Sequence, residues 1–257
     1  MGITGGEPFA FPEFVSICKS LTDNDITLWI NTNFSIQNRI DEFMEKIPPS
    51  MVENLLIALH LEERERKGGM ERLYPNLEKL RSRSIPFELT YVLYPPLVDR
   101  FLMDRENFRQ HGFDLTLKPF FGEFNGKLFP DSYSSREKEL ILSSDPGAAR
   151  RTVLFTRGIL CEAGKSLIDI DVNGKVYRCV SERTCLGSIQ QGFTLYNQAR
   201  PCKAPFCGCF GWDLIADEQK KAKLEKNLID KFPFTYRLRR YAGLLARRMK
   251  IRKLLPL

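Results

Sequence analysis

Six of the seven cysteines of this 257-residue chain fall between Cys161 and Cys209, a stretch of 49 residues. They stand as Cys161, Cys179 and Cys185, followed by Cys202, Cys207 and Cys209 in the spacing Cys-x4-Cys-x-Cys. Thiols crowded like this form disulfides, hold zinc or hold an iron–sulfur cluster. Disulfides need an oxidising compartment, and the start Met1-Gly-Ile-Thr-Gly-Gly-Glu7 has neither the basic nor the apolar region of a secretory signal. Zinc knuckles space their cysteines Cys-x2-4-Cys and often add histidine; here the last three are arranged differently and no histidine is near. Thiolates drawn from well-separated segments suit an iron–sulfur cluster at least as well. The chemistry therefore favours a metal over scattered buried thiols and leaves both metals open, iron–sulfur slightly ahead.

A second candidate is Thr4-Gly-Gly-Glu7, followed by Pro8. Adjacent glycines let a backbone approach a ligand closely, and the carboxylate can hold an amino group. A tight turn with a solvated glutamate explains the same residues without any ligand.

These residues need elements to position them. Apolar spacing predicts a helix over 11–21, a strand over 26–30 ending in Asn31-Thr-Asn33, and a helix to Met44 capped by Ser35. A strand over 54–61, a helix over 70–83, a strand over 87–93, a helix over 97–110, a strand over 114–118 and a short helix capped by Ser134 or Ser135 follow. Strictly alternating strands and helices imply a parallel sheet, either a barrel or an open doubly wound sheet, with ligands at the carboxyl ends of the strands. That end collects residues 4–8, 31–33, 60–63, Tyr94 and 119–122. His60 reads as a hydrogen-bonded structural histidine, His111 as a helix-terminal residue, and the run Glu62 to Lys67 as a solvated face. Phe120 to Phe124 reads as core or docking surface rather than pocket wall. From about Ser144 the pattern changes to short strands and turns, with Asn173-Gly174 as a hairpin turn and Cys179 at the hairpin's end. The expected divisions are 1–143, 144–213 and 214–257.

Taken together, Gly5-Gly-Glu-Pro8, Thr32-Asn33 one helix and one strand later, and a cysteine-rich module resemble the radical SAM superfamily. The resemblance implies a partial (β/α) barrel. It also implies that Gly5, Gly6, Glu7 and Pro8 bind the amino group of S-adenosylmethionine, with Thr32 and Asn33 near the nucleoside, although Phe34 replaces the glycine that ends the family's Thr-Asn-Gly. Cys161-x12-Gly174-x4-Cys179 and Leu186-Gly-Ser-Ile189 resemble the SPASM and twitch auxiliary domains, the shorter twitch form fitting better. That implies an auxiliary 4Fe–4S cluster held by Cys161, Cys179 and Cys202, then Cys207 and Cys209, with Cys185 a buried thiol. The superfamily's Cys-x3-Cys-x2-Cys triplet does not occur in the chain, and Cys18 stands alone. The expectation is that Met1 is not the true start and that about one βα unit, the barrel's first strand included, precedes it.

For the intact protein the resemblance implies reductive cleavage of S-adenosylmethionine to a 5′-deoxyadenosyl radical that abstracts a hydrogen from a peptide or sugar-containing substrate, with an electron donor as partner. The rival expectation is a catalytically silent metal-binding or scaffold protein holding 4Fe–4S or structural zinc. Composition adds one point. Eight of the 39 basic residues lie in 237–257, which has no acid, leaving 31 basic against 32 acidic residues elsewhere. That tail has the pattern of a basic amphipathic helix, suited to an anionic membrane surface, RNA or an acidic partner, or else packed on the fold. A cytoplasmic protein, peripheral at the membrane if the tail engages it, is expected.

Overall fold

The computed structural model describes residues 1–120, 122–129, 132–144, 156–204, 207, 214–219 and 221. It falls into two compact units, one built on Met1–Phe120 and the other holding the described residues of 122–142 and those from 156 on. The expected linker from 145, the tail from 222 and Cys209 lie outside the described residues.

The first unit is α/β. Five parallel strands, β1 (Gly2–Ile3), β2 (Leu28–Thr32), β3 (Val52–Ala58), β4 (Phe87–Leu93) and β5 (Leu115–Pro119), stand side by side in chain order. Between them run α1 (Phe14–Asp23), α2 (Gln37–Lys46), α3 (Leu61–Arg66), α4 (Met70–Ser82) and α5 (Phe101–Gln110). A right-handed crossover between neighbouring parallel strands always places its helix on the same side, so sequential order puts every helix on one face. That is barrel grammar; a doubly wound sheet must reverse direction.

Burial follows from this. Leu28, Ile30 and Thr32 of β2, Leu55 and Ile57 of β3, Leu89 and Tyr91 of β4 and Leu117 of β5 are buried. The intervening Asn31, Leu56, Glu88, Thr116 and Lys118 are only half-buried. In register, Asn31 pairs with Leu56 and Leu56 with Glu88, so one face is an apolar core and the other a mixed, polar surface. Edge-to-face contacts of Phe9 with Phe14, Phe34 and Phe43 tie the start of the chain into that core.

Three expectations need correcting. Ser35 does not cap α2: Phe34 takes a left-handed conformation (φ 52) with its amide tied to Thr32 Oγ1, and the helix starts only at Gln37 with no side-chain cap. The helix expected from Leu97 begins at Phe101, because Pro95-Pro96 opens a separate 3-10 turn. The charged run 62–67, expected as a solvated loop or helix face, departs from that only at the buried Arg64. It belongs to α3, where Leu61 and Arg64, one turn apart, both turn inward.

The second unit is built from small antiparallel pieces. β6 (Gly122–Phe124) and β7 (Lys127–Phe129) form a hairpin, followed by α6 (Ser135–Ser144). Ser134 caps α6 in a capping box, Glu137 N donating to Ser134 Oγ and Ser134 N to the Glu137 carboxylate. β8 (Leu160–Cys161) pairs with β13 (Arg200–Pro201). A four-stranded sheet joins β9 (Asp169–Ile170), β10 (Lys175–Tyr177), β11 (Cys185–Ser188) and β12 (Gly192–Phe193). The turn at Asn173-Gly174 forms as expected, with Asp171 Oδ1 accepting from the amides of Asn173 and Lys175. Gly187 has φ 134, and a Cβ there would stand 2.3 Å from Gly192 O, so β12 can approach only a glycine.

Candidate functional site

At the carboxyl end of β1 the chain turns through Gly5 (φ 108) and Gly6 (φ 56) into Glu7. Nothing lies within 4 Å of the space a Cβ would occupy at either glycine. Glu7 is the N-cap of a 3-10 turn at Pro8–Ala10, its Oε1 accepting from Phe9 N at 3.1 Å; Pro8 sits where a missing N–H costs nothing. The carboxylate reaches across to the end of β2. Thr32 Oγ1 donates to Oε1 at 2.6 Å and Asn33 N to Oε2 at 2.5 Å. Thr32 is itself oriented by Phe34 N, which donates to its hydroxyl at 2.8 Å. A carboxylate offers about four lone-pair directions. Three are filled by the protein, two on Oε1 and one on Oε2, leaving Oε2 able to accept one more donor. An ammonium group fits that vacancy in charge and hydrogen-bonding sense.

Arg64 braces the same corner. It is 8% exposed; Nε donates to Leu59 O at 2.6 Å, and Nη2 donates to Asn33 O and, at 3.4 Å, to Phe34 O. The ends of β2 and β3 are thus clasped by one guanidinium. Asn33 Oδ1 is buried without a hydrogen-bond partner among the described residues, an arrangement that costs about 1–3 kcal/mol. Two cavities open at the carboxyl ends. One, ≈ 320 Å³, is lined by Asn33, Arg64 and the start of α4; the other, ≈ 370 Å³, lies between the ends of β3 and β4, with Tyr94 and Phe120 in its wall. His60 lines both. It is exposed and left-handed (φ 45), and its ring makes no hydrogen bond among the described residues, unlike the bonded structural histidine expected from sequence. His111 is a helix-terminal residue as expected, its ring bonded to Asn107 O and stacked on Tyr74.

In the second unit, Cys161, Cys179, Cys202 and Cys207 line one small cavity of ≈ 20 Å³ with Ile159, Ala163 and Ile215 among its apolar walls. Burial pushes the Cys161 and Cys179 thiols above their ordinary range, and the neighbouring cysteines push further. Without a cation these groups stay neutral. Cys179 Sγ accepts from Glu182 N at 3.2 Å, and Cys202 Sγ lies 3.4 Å from Thr156 Oγ1. Among the described residues no three His, Cys, Asp or Glu side chains converge closely enough to hold a metal ion. A single tetrahedral zinc requires such convergence, with Zn–S bonds of about 2.3 Å. A four-iron cluster binds each thiolate to a different iron and so spreads its ligands. Here the four thiols share a cavity that Thr156, Arg178 and Ser181 also line. Cys185 is exposed on β11 and does not line this cavity; its expected burial is not found.

Arg178 and Glu182 hold the cysteine segments together. The Arg178 guanidinium is 2% exposed and donates to Glu182, Ala163 O, Arg200 O and Pro201 O, while Glu182 accepts from Lys203 N at 2.7 Å. Burial alone would raise the Glu182 pKa, but Arg178 and Lys203 N bring it below the usual range. Neither Arg64 nor this pair was foreseen. The available signals were the one-turn spacing of Arg64 from Leu61 and the position of Arg178 beside Cys179.

No family model matches the chain, and no curated protein matches it. Among solved structures it is similar to Streptococcus suis SuiB: 12% identity and a TM-score of 0.46 over 76% of this chain and 52% of that one. For SuiB bound to S-adenosylmethionine the values are 11% and 0.47 over 76% and 51%, and for SuiB bound to the precursor peptide SuiA 11% and 0.45 over 70% and 48%. The chain spans about half the length of these structures. At such identities, and below a TM-score of 0.5, the likeness assigns neither family nor activity. No helix among the described residues is long and apolar enough to cross a membrane.

Proposed function

We propose that the first unit binds S-adenosylmethionine and that the second holds an auxiliary 4Fe–4S cluster, as the radical SAM resemblance implies. The observation that carries the reading is the Glu7 carboxylate, with one lone pair left open beside two glycines that leave the space around them clear. Glu7 would accept from the methionyl ammonium, the backbone of Gly5 and Gly6 would line the methionyl group, and the unpaired Asn33 amide would meet the nucleoside. Thr32 orients the carboxylate and Arg64 fixes the strand ends. Cys161, Cys179 and Cys202, with Cys207 or Cys209, would ligate the cluster, and Arg178 would counter its charge. S-adenosylmethionine supplies reductive cleavage and hydrogen abstraction in the superfamily, and an auxiliary cluster supplies substrate ligation or electron transfer. A peptide or sugar-containing substrate and an electron donor belong to the same reading.

The 257 residues contain no Cys-x3-Cys-x2-Cys triplet, so this chain alone is expected to bind S-adenosylmethionine without forming 5′-deoxyadenosine. Titration calorimetry with the whole chain tests the reading: binding weakened in Glu7→Gln supports it, and equal affinity in wild type and variant removes it.

A further inference from the structure

The ≈ 320 Å³ cavity of the first unit is basic. Its lining holds three cations, Arg64, Lys67 and Arg72, against one carboxylate, Glu63, which is already paired with Lys67 at 2.6 Å. Arg64 is buried and has no carboxylate within ion-pair distance among the described residues; its Nε and Nη2 are taken by carbonyls, and Nη1 donates to none. Glu7 and Glu63 offset its charge only at a distance, and burial still lowers its pKa. An anion in the cavity would stabilise that charged form.

Two further features converge on the same space. Arg72, in the first turn of α4, is exposed and has no partner among the described residues. α4 starts from Gly69, which has no side chain to cap it, and Gly69, Arg72 and Leu73 of this start line the cavity. The volume also lies within the range of about 300–1,000 Å³ typical of small-molecule pockets, larger than one oxyanion fills.

We propose that this cavity is a binding site for a phosphate-bearing small molecule, its phosphate seated between Arg64, Arg72 and the first turn of α4. Guanidinium forks and helix amides arriving from different directions suit a tetrahedral dianion better than a planar carboxylate. The site does not depend on the S-adenosylmethionine reading; either can fail alone.

The test uses the whole chain, with inorganic phosphate and a nucleoside 5′-monophosphate titrated by calorimetry and followed by phosphorus NMR, against chloride at matched ionic strength. Saturable binding is expected, tighter for the nucleotide. Arg72→Glu, a surface change whose fold circular dichroism verifies, should weaken both by roughly tenfold or more, and Arg72→Lys should recover much of the loss. No binding beyond the chloride control, equal affinity for phosphate and nucleotide, or unchanged binding in Arg72→Glu would overturn the proposal.

Discussion

At Glu7 the chain surrounds a charged carboxylate with donors of its own, three hydrogen bonds from Phe9, Thr32 and Asn33, and leaves one lone pair over. Around Cys161 and Cys179 it does the reverse, removing water from thiols so far that the nearby Arg178 does not offset the effect of burial. The first site is complete as a polar structure before any ligand arrives, so a ligand adds affinity without being needed for folding. The second keeps its donors in their neutral form, and a metal entering it must displace protons. Metal binding there is linked to folding in a way that ligand binding at Glu7 is not.

The largest effect separating the two should come from metal. Loading with iron and sulfide under anaerobic conditions is expected to stabilise the second unit by several kcal/mol, approaching the ~10 kcal/mol of structural metal sites, while leaving the first unchanged. Hydrogen exchange resolved by segment reads this directly, and iron and sulfide analysis fixes the stoichiometry. One zinc per chain with no sulfide would replace the cluster by a structural zinc module, and equal protection of both units would erase the contrast.

Arg178→Met comes next. It leaves Glu182 buried without its partner, so the second unit should lose about 3–5 kcal/mol in urea unfolding. The double change Arg178→Met with Glu182→Leu should recover most of that; no recovery would mean the pair acts through the carbonyls Arg178 holds rather than through its charge.

The pH dependence should report on named titrating groups in each unit. Cys18, fully buried in α1, has its thiol pushed up from 9.0 to about 12 by burial. Its folded pKa is raised, so its contribution is present below pH 9 and lost as pH climbs toward 12, up to about 4 kcal/mol in total. Glu182 has a depressed folded pKa, so its contribution is present above 4.5 and lost as pH falls below it. Alkali should therefore loosen both units, the first through Cys18 and Tyr91 and the second through Cys161 and Cys179, with Cys18→Val removing only the Cys18 share, and acid should loosen the second through Glu182. Monitoring each unit by pH-dependent proteolysis checks the assignment. The smallest effect is at Glu7: Glu7→Gln should cost S-adenosylmethionine about ten- to a hundredfold in affinity, 1.4–2.7 kcal/mol, with little change in unfolding.

How much of this was legible follows from the range of each interaction. The strand–helix alternation and the run Phe87–Leu93 were readable because a two-residue or 3.6-residue period is local. The turn at Asn173-Gly174 was readable for the same reason. Arg64 was not, because nothing in Glu62-Glu-Arg-Glu-Arg-Lys67 shows that its third residue meets the carbonyls of Asn33 and Phe34, thirty residues earlier. Ser35 failed as a cap because the left-handed Phe34 is set by Thr32, a contact that propensity does not see. Cys185 looked like its neighbours in composition; only the pairing of β11 with β10 turns it outward. The cysteines that line one cavity are brought together partly by β8 pairing with β13, a match across forty residues that no spacing rule predicts.

The sequential order of β1 to β5 bears on how the first unit is made. Each new strand pairs with the one completed just before it, so every segment leaving the ribosome finds its neighbour already in place. The sheet can therefore assemble vectorially, one crossover at a time, without holding a distant strand open. The pairing of β8 with β13 offers no such economy: Cys161 must wait until residue 200 has been synthesised before its segment acquires a partner, and for that interval its thiol stays open to whatever the cell supplies.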